Sequence, residues 1–349
     1  MQLDEPARLS PWPHRLAVLL ALVTFPLIWV GGLVTTYDAG MAVPDWPGTY
    51  GYNLLRYPWQ SWLAAPWDLF IEHGHRLLGA GAGFIAIALV LVTWQATSRH
   101  LLGIALSALA LVILQGALGG ARVLFDERLL AMLHGCVGPL FFAYLAMLVV
   151  VSSPAWTSEP FVVNPDSARV AQRAWILVGL AYFQLVLGAI LRHIPLAASA
   201  TVFRAVLVLH LVVAAVLLLH VLNFLVSVER SRAASLSIRR SAWLLGFFVA
   251  VQIALGGSTY VVKFAFPAWM QGFQLAAAYV VQEKSLTQAL VTTAHVAMGS
   301  LILFIAARQA VVATRCTLAG PGHAAQTRAS SQLIAGWLLT TASLGRAVA

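Results

Sequence analysis

The sequence predicts an all-α integral membrane protein, with eight transmembrane helices arranged as two tandem pseudo-symmetric four-helix bundles. Three observations predict it. Of the 349 residues, 60% are hydrophobic and only 9% are charged, against roughly 25% charged in soluble domains. Apolar runs of about 20 residues, the length that crosses a bilayer, recur along most of the chain. A helix-pair motif then repeats four times.

The first run follows a basic start, Arg8 to Arg15 and then Leu16 to Val34. The order resembles a signal peptide, but the run is too long for a typical signal core and lacks a small-x-small cleavage site, so a retained first helix is expected. The eight spans fall near 15–36, 70–95, 101–121, 129–152, 172–191, 203–226, 241–262 and 286–312. A further apolar stretch, Gln332 to Leu344, is about half the spanning length and is expected at the surface or interface.

An even number of spans puts both termini on one side. Most Lys and Arg residues lie in the tails and in the loops after the second, fourth and sixth spans. The short loop carrying Arg230, Arg232, Arg239 and Arg240 is the strongest of these signals, so the termini are expected in the cytoplasm. The net charge of +9 is scattered between apolar runs, which argues against nucleic acid as a partner. Cys136 and Cys316 lie at different membrane levels, so no disulfide is expected between them.

The repeat is Gln115-x-x-x-Gly119, Gln184-x-x-x-Gly188 and Gln252-x-x-x-Gly256, each closing an odd-numbered span. The first span has Gly31-Gly32 at the same place and Leu27 at the glutamine position. Every even-numbered span that follows carries a histidine in its first turns: His75, His134, His210 and His295. Small residues let membrane helices approach closely, and a flat macrocycle seated against a helix would need the same absent side chains. Both readings of the glycines stay open. The expected division is an N-terminal bundle over 1–155, including the outer loop 37–69, a C-terminal bundle over 156–315, and a cytoplasmic tail over 316–349.

Ionisable residues inside a bilayer are costly and mark function. Four histidines at matched depth, two per bundle, can meet across each bundle. Paired imidazoles on facing helices are a common way of filling the two axial positions of haem iron. Zinc would ask for four tetrahedral ligands, and only Cys136 is near. His73 points away from His75, His193 sits in an outer loop, His220 lies too deep, and His14, His100 and His323 belong near cytoplasmic segments. None of these six is assigned to iron.

Haem propionates need cationic partners at the membrane surface. Arg76, Arg122, Arg192, Arg204 and Lys263 are placed for that, with interfacial snorkelling as the ordinary alternative. Glu72, one helical turn before His75, has no acidic equivalent before the other three histidines, where Ala131, Leu207 and Thr292 stand. A carboxyl group there can move protons or stabilise a developing cation, or simply favour the helix N-terminus. The loop 37–69 holds Trp46, Trp59, Trp62 and Trp67 and folds either as a hydrophobic lid over the first site or as an interfacial aromatic belt.

The run "GGLVTTYDAGMAVPDW" from Gly31 to Trp46, then Glu72-His73-Gly74-His75-Arg76, then the single histidines His134, His210 and His295 together resemble the haem A synthase family over nearly the whole chain. The resemblance implies oxidation of a ring methyl of haem O to a formyl group, giving haem A for terminal oxidase assembly. It implies that His75 and His134 bracket the substrate haem with Glu72 catalytic, while His210 and His295 hold a haem b cofactor. It also implies a bacterial cytoplasmic membrane location. The implied partners are a haem O synthase, terminal oxidase assembly factors and a membrane electron donor, with self-association left open. Many bacterial members carry a cysteine pair in the first outer loop, whereas residues 37–69 here contain none. The rival readings are a di-haem b-type electron-transfer protein, in which neither haem is altered, and a haem transporter or chaperone, which needs only reversible binding.

Overall fold

The structure, a computed structural model, describes residues 10–95, 99–158, 165–195, 197–231 and 234–318. Arg232, His323, the side chain of Cys316 and the stretch 332–344 lie outside the described residues. Among the described residues, eight helices are long and apolar enough to cross a membrane. They are α1 (Trp12–Thr36), α3 (Trp67–Gln95), α4 (Arg99–Phe125), α5 (Arg128–Val151), α7 (Pro165–His193), α8 (Ala200–Arg230), α9 (Leu236–Phe264) and α11 (Leu286–Leu318). Three short helices sit between them: α2 (Trp59–Leu63), α6 (Pro154–Ser158) and α10 (Gln274–Ala277). The expected spans correspond one to one, and most helices outrun their apolar core. Polar residues end a hydrophobic run without ending the hydrogen-bonded turns, as Ser235 shows by capping α9 with a bond from the Ile238 amide at 3.3 Å. The chain is an integral membrane protein.

Helix packing closes two rings. α1 packs on α3, α3 on α4, α4 on α5, and α5 returns to α1; α7 packs on α8, α8 on α9, α9 on α11, and α11 returns to α7. Each ring has its own core. Leu20, Leu89, Leu145 and Leu148 fill the first among Ala17, Ala82, Ala86, Ala105 and Ala108. Leu177, Phe224, Leu245 and Leu303 fill the second among Ala174, Ala242, Ala306 and Ala310. Alanines bring the backbones together where lipid offers no hydrophobic drive for association. Large side chains such as Leu22, Trp94, Leu219 and Phe247 stay exposed, as expected of surfaces that face acyl chains.

The rings are joined by α1 and α5 lying against α11, and by α5 against α7. Phe142 stacks on Phe304 across this seam with ring centres 4.4 Å apart. At the end carrying the 37–66 loop, α4 and α5 are linked by Asp126 and Glu127 alone. Asp126 takes φ 50°, a left-handed conformation that Asp tolerates. That tight turn sets the end of α4 beside the start of α5.

Candidate functional site

Each repeat glycine is the seat of the next helix's imidazole. A methyl group placed on Gly31 would stand 2.7 Å from Cε1 of His75; on Gly119, 3.2 Å from Cε1 of His134; on Gly188, 3.4 Å from Cε1 of His210; on Gly256, 3.1 Å from Cε1 of His295. The same contact is thus made in all four helix pairs. The glycines therefore do more than admit helix backbones, because the absent side chain is replaced by a histidine ring.

In the first bundle two of these rings meet. His75 and His134 face each other across the first bundle with ring centres 6.3 Å apart and planes at 83°. An imidazole binds a metal at about 2 Å, and two such bonds back to back separate ring centres by roughly 6 Å. His210 and His295 stand within electrostatic reach of one another in the second bundle.

On the far side of the ring, His134 Nδ1 lies 3.1 Å from the carbonyl of Gln115. Leu27, Gln184 and Gln252 stand at the same repeat position, but Nδ1 of His75, His210 and His295 is buried without a hydrogen-bond partner.

The repeat glutamines line the same space. Gln184 Nε2 lies 3.1 Å from His210 Nε2. Gln115 and Gln252 reach toward Gly138 and Gly299, one turn beyond His134 and His295. Gln115 Nε2, Gln184 Oε1 and Gln252 Oε1 are buried and unpartnered, an expensive arrangement in an apolar interior. Among the described residues no three His, Cys, Asp or Glu side chains converge as a chelating cluster. Two imidazoles per bundle fit a centre whose remaining four donors belong to a macrocycle, and do not fit tetrahedral zinc.

The first bundle carries charge beside its imidazoles. Glu72, 4% exposed, accepts a hydrogen bond from the Val43 amide at Oε2 (2.8 Å) and one from Arg76 at Oε1 (2.9 Å). The Arg76 guanidinium also donates to the carbonyls of Val43 (2.8 Å), Asp45 (2.6 Å) and Gly48 (2.7 Å). His73 Nδ1 lies 2.9 Å from the buried Thr49 hydroxyl, and its ring sits between Tyr57 and Trp62. Asp45 accepts from the amides of Tyr50 (2.7 Å) and Gly51 (2.9 Å). Slight burial raises its carboxyl, but those amides and the Arg76 charge outweigh this and hold it below the ordinary carboxylate range.

Residues 14–193, just over half of the chain, match the family model described as cytochrome oxidase assembly protein, COX15-CtaA. The chain belongs to this family. It is 28% identical over 194 residues to a protein named Heme A synthase from Symbiobacterium thermophilum, covering 52% of this chain and 59% of that protein. It is likewise 28% identical over 222 residues to a Heme A synthase from Hyphomonas neptunium, covering 53% and 61% respectively. The chain thus spans about three fifths of the length of the curated relatives it matches.

The cations named from sequence have different surroundings. Arg76 is engaged by the loop carbonyls and Glu72. Arg192 donates to the Gly32 carbonyl and the Thr36 hydroxyl of α1, both at 2.7 Å, so it ties the second ring to the first. Arg122 occupies the space a Gly40 side chain would need, and among the described residues it has no ion-pair partner. Arg204 is exposed. His193, expected in an outer loop, is instead the last residue of α7, with Nε2 4.0 Å from where a Gly135 side chain would start. The helix persists because Arg192 anchors its final turn on α1. Sequence reasoning missed the engagement of Val43, Asp45 and Thr49 with α3, and the Trp46 indole lying on Gly120. These contacts join residues far apart in sequence, and no periodicity announces them.

Proposed function

We propose that the chain is a haem A synthase, which oxidises the ring methyl of haem O to the formyl of haem A for terminal oxidase assembly. The observation that carries this reading is the fourfold glycine–imidazole contact, two in each bundle, with the facing His75 and His134 rings beside the Glu72 carboxylate. Family membership and the two similar proteins named Heme A synthase support it.

In this reading the first bundle, within 1–155, takes haem O between His75 and His134, and the second, within 156–315, holds haem b between His210 and His295. The haem centres supply the redox chemistry, with electrons from a membrane donor. The chain's own groups orient and exclude. Gly31, Gly119, Gly188 and Gly256 fix where each imidazole stands. The carbonyl at the Gln115 position orients the His134 ring through Nδ1, the arrangement by which second-shell partners set a ligand's tautomer. Glu72, one turn from His75, is the catalytic carboxylate and holds or moves a proton beside the substrate. Arg122, Arg204 and Arg192, the last already donating to α1, are the cations for the propionates, and Arg76 acts through the loop it grips. A haem O synthase supplies the substrate, and assembly factors of a terminal oxidase receive the product. The protein sits in a bacterial cytoplasmic membrane with both termini in the cytoplasm.

The test is co-expression with a haem O synthase in a host lacking haem A, followed by extraction and chromatography of the pigments. Hydroxylated haem O and haem A are expected. Unchanged haem O in a chain with a normal bound-haem spectrum overturns the proposal.

A further inference from the structure

Residues Asp38 to Tyr50 run across the mouth of the first bundle and are fastened to it on two sides. On α3, Glu72 holds the Val43 amide, Arg76 holds the carbonyls of Val43, Asp45 and Gly48, and His73 holds Thr49. On α4, the Arg122 guanidinium fills the space beside Gly40, and the Trp46 indole lies flat against Gly120, so closely that a Cβ there would collide with the ring. Gly120 is the neighbour of Gly119, the seat of His134. Val43 and Thr49 are fully buried, while Trp46 keeps 39% of its surface exposed, one face on the bundle and the other outward.

Among the described residues, the second bundle is fastened differently. At the positions of Glu72 and Arg76 its helices carry Leu207 and Leu211 in α8, and Thr292 and Val296 in α11. Its loop is tied to α11 through Gln288, which accepts from the Lys284 amide at 2.8 Å and donates to the Val262 carbonyl at 3.0 Å. A strap at one of two otherwise equivalent sites needs a reason that applies to one site alone.

We infer that Trp46 is a positioning residue of the first site, carried on a strap that α3 and α4 hold in place, and that it closes that site over the edge of the bound macrocycle. This rests on the haem reading above. A permanent cofactor needs no cap once inserted, whereas a substrate oxidised in more than one step must be kept from leaving half-oxidised. A large rigid indole seated on a glycine suits that purpose, because it excludes water and acceptors with little side-chain entropy to lose.

The test uses the purified full chain loaded with haem O and haem b, with release of each pigment to excess apomyoglobin followed at the Soret band and by extraction. Trp46→Ala, and independently Gly120→Ala, which pushes the indole off without changing any residue of the strap, should each speed haem O release about tenfold or more, the scale of losing an aromatic anchor at an interface. Haem b release should not change, which also reports that the second bundle is folded. Trp46→Phe should restore most of the retention. Gly116→Ala, on the same helix with open space around it, should match the wild type. During turnover, the Trp46→Ala and Gly120→Ala variants should also release a larger share of hydroxylated intermediate relative to haem A. Wild-type release rates and product ratios in both variants overturn the inference. A wild-type chain that holds only haem b overturns the haem O reading, and the inference with it.

Discussion

The imidazole of His75 stands edge-on to that of His134, 6.3 Å from centre to centre, across a bundle whose walls meet each ring with a glycine. Removing both rings should therefore abolish one bound-haem population and leave the other. The His75→Ala, His134→Ala double variant is expected to lose the first-bundle pigment, and the His210→Ala, His295→Ala double variant the second, measured as pyridine haemochrome per chain. A fourfold variant that keeps its full Soret band would defeat the assignment of all four residues.

The glycines give a graded prediction, because the space left for a methyl differs among them. Gly31→Ala meets His75 at 2.7 Å and should be the most damaging, Gly256→Ala and Gly119→Ala at 3.1 and 3.2 Å should follow, and Gly188→Ala at 3.4 Å should be the mildest. Overpacking of this kind costs about 1–3 kcal/mol. Gly257, beside Gly256 but with nothing within 4 Å, is the control. Haem retention in the matching bundle, tracked against thermal stability, should reproduce this order; a flat response across the four would show that the rings do not depend on these seats.

Arg76 offers a test of geometry against charge. Its fork serves three carbonyls and one carboxylate, and both side chains of the ion pair are nearly buried, at 9% and 5% exposed. Lysine keeps the charge but lacks the planar five-donor fork. Arg76→Lys is expected to cost about 1–3 kcal/mol, the scale of leaving buried acceptors unmade, and, by loosening the segment, to speed trypsin cleavage at Arg56, which is already exposed. Unchanged stability together with unchanged cleavage would mean that charge alone fastens the segment.

How much of this was legible in the sequence follows from how local each feature is. The eight spans and the positions of His75, His134, His210 and His295 follow from hydropathy and a repeat whose members lie within one helix pair. The place of Gly31 in the repeat was also legible although Leu27 replaces the glutamine, but that it seats the His75 ring was not, because helix packing and a macrocycle ask for the same absent side chain. The engagement of Arg76 was not, because its partners Val43, Asp45 and Gly48 lie about 30 residues earlier in an irregular loop, and a cation at a helix start reads equally as interfacial. His193 was misplaced for a related reason. The apolar run stops at Leu191, but the helix continues through Arg192 and His193 because Arg192 finds acceptors on α1, 156 and 160 residues away in sequence.

The turn that presents Trp46 should respond to acid, and the sign follows from Asp45. Its carboxylate accepts the amides of Tyr50 and Gly51 and feels the Arg76 charge, so its folded-state value lies below the ordinary 3.8. A group depressed in this way contributes stability that is fully present above its unfolded value and is lost as pH falls through the folded one. The Asp45 contribution should therefore be constant from neutrality down to about 4 and should be lost only below that. Tryptophan emission compared between the wild type and Trp46→Phe isolates the indole at Gly120; its acid transition should vanish in Asp45→Asn, which should already show the loosened signal at neutral pH because the amide brings only one acceptor oxygen and no charge. An Asp45→Asn chain that keeps the wild-type acid transition would place the titrating group elsewhere and remove Asp45 from the account of how the strap is held.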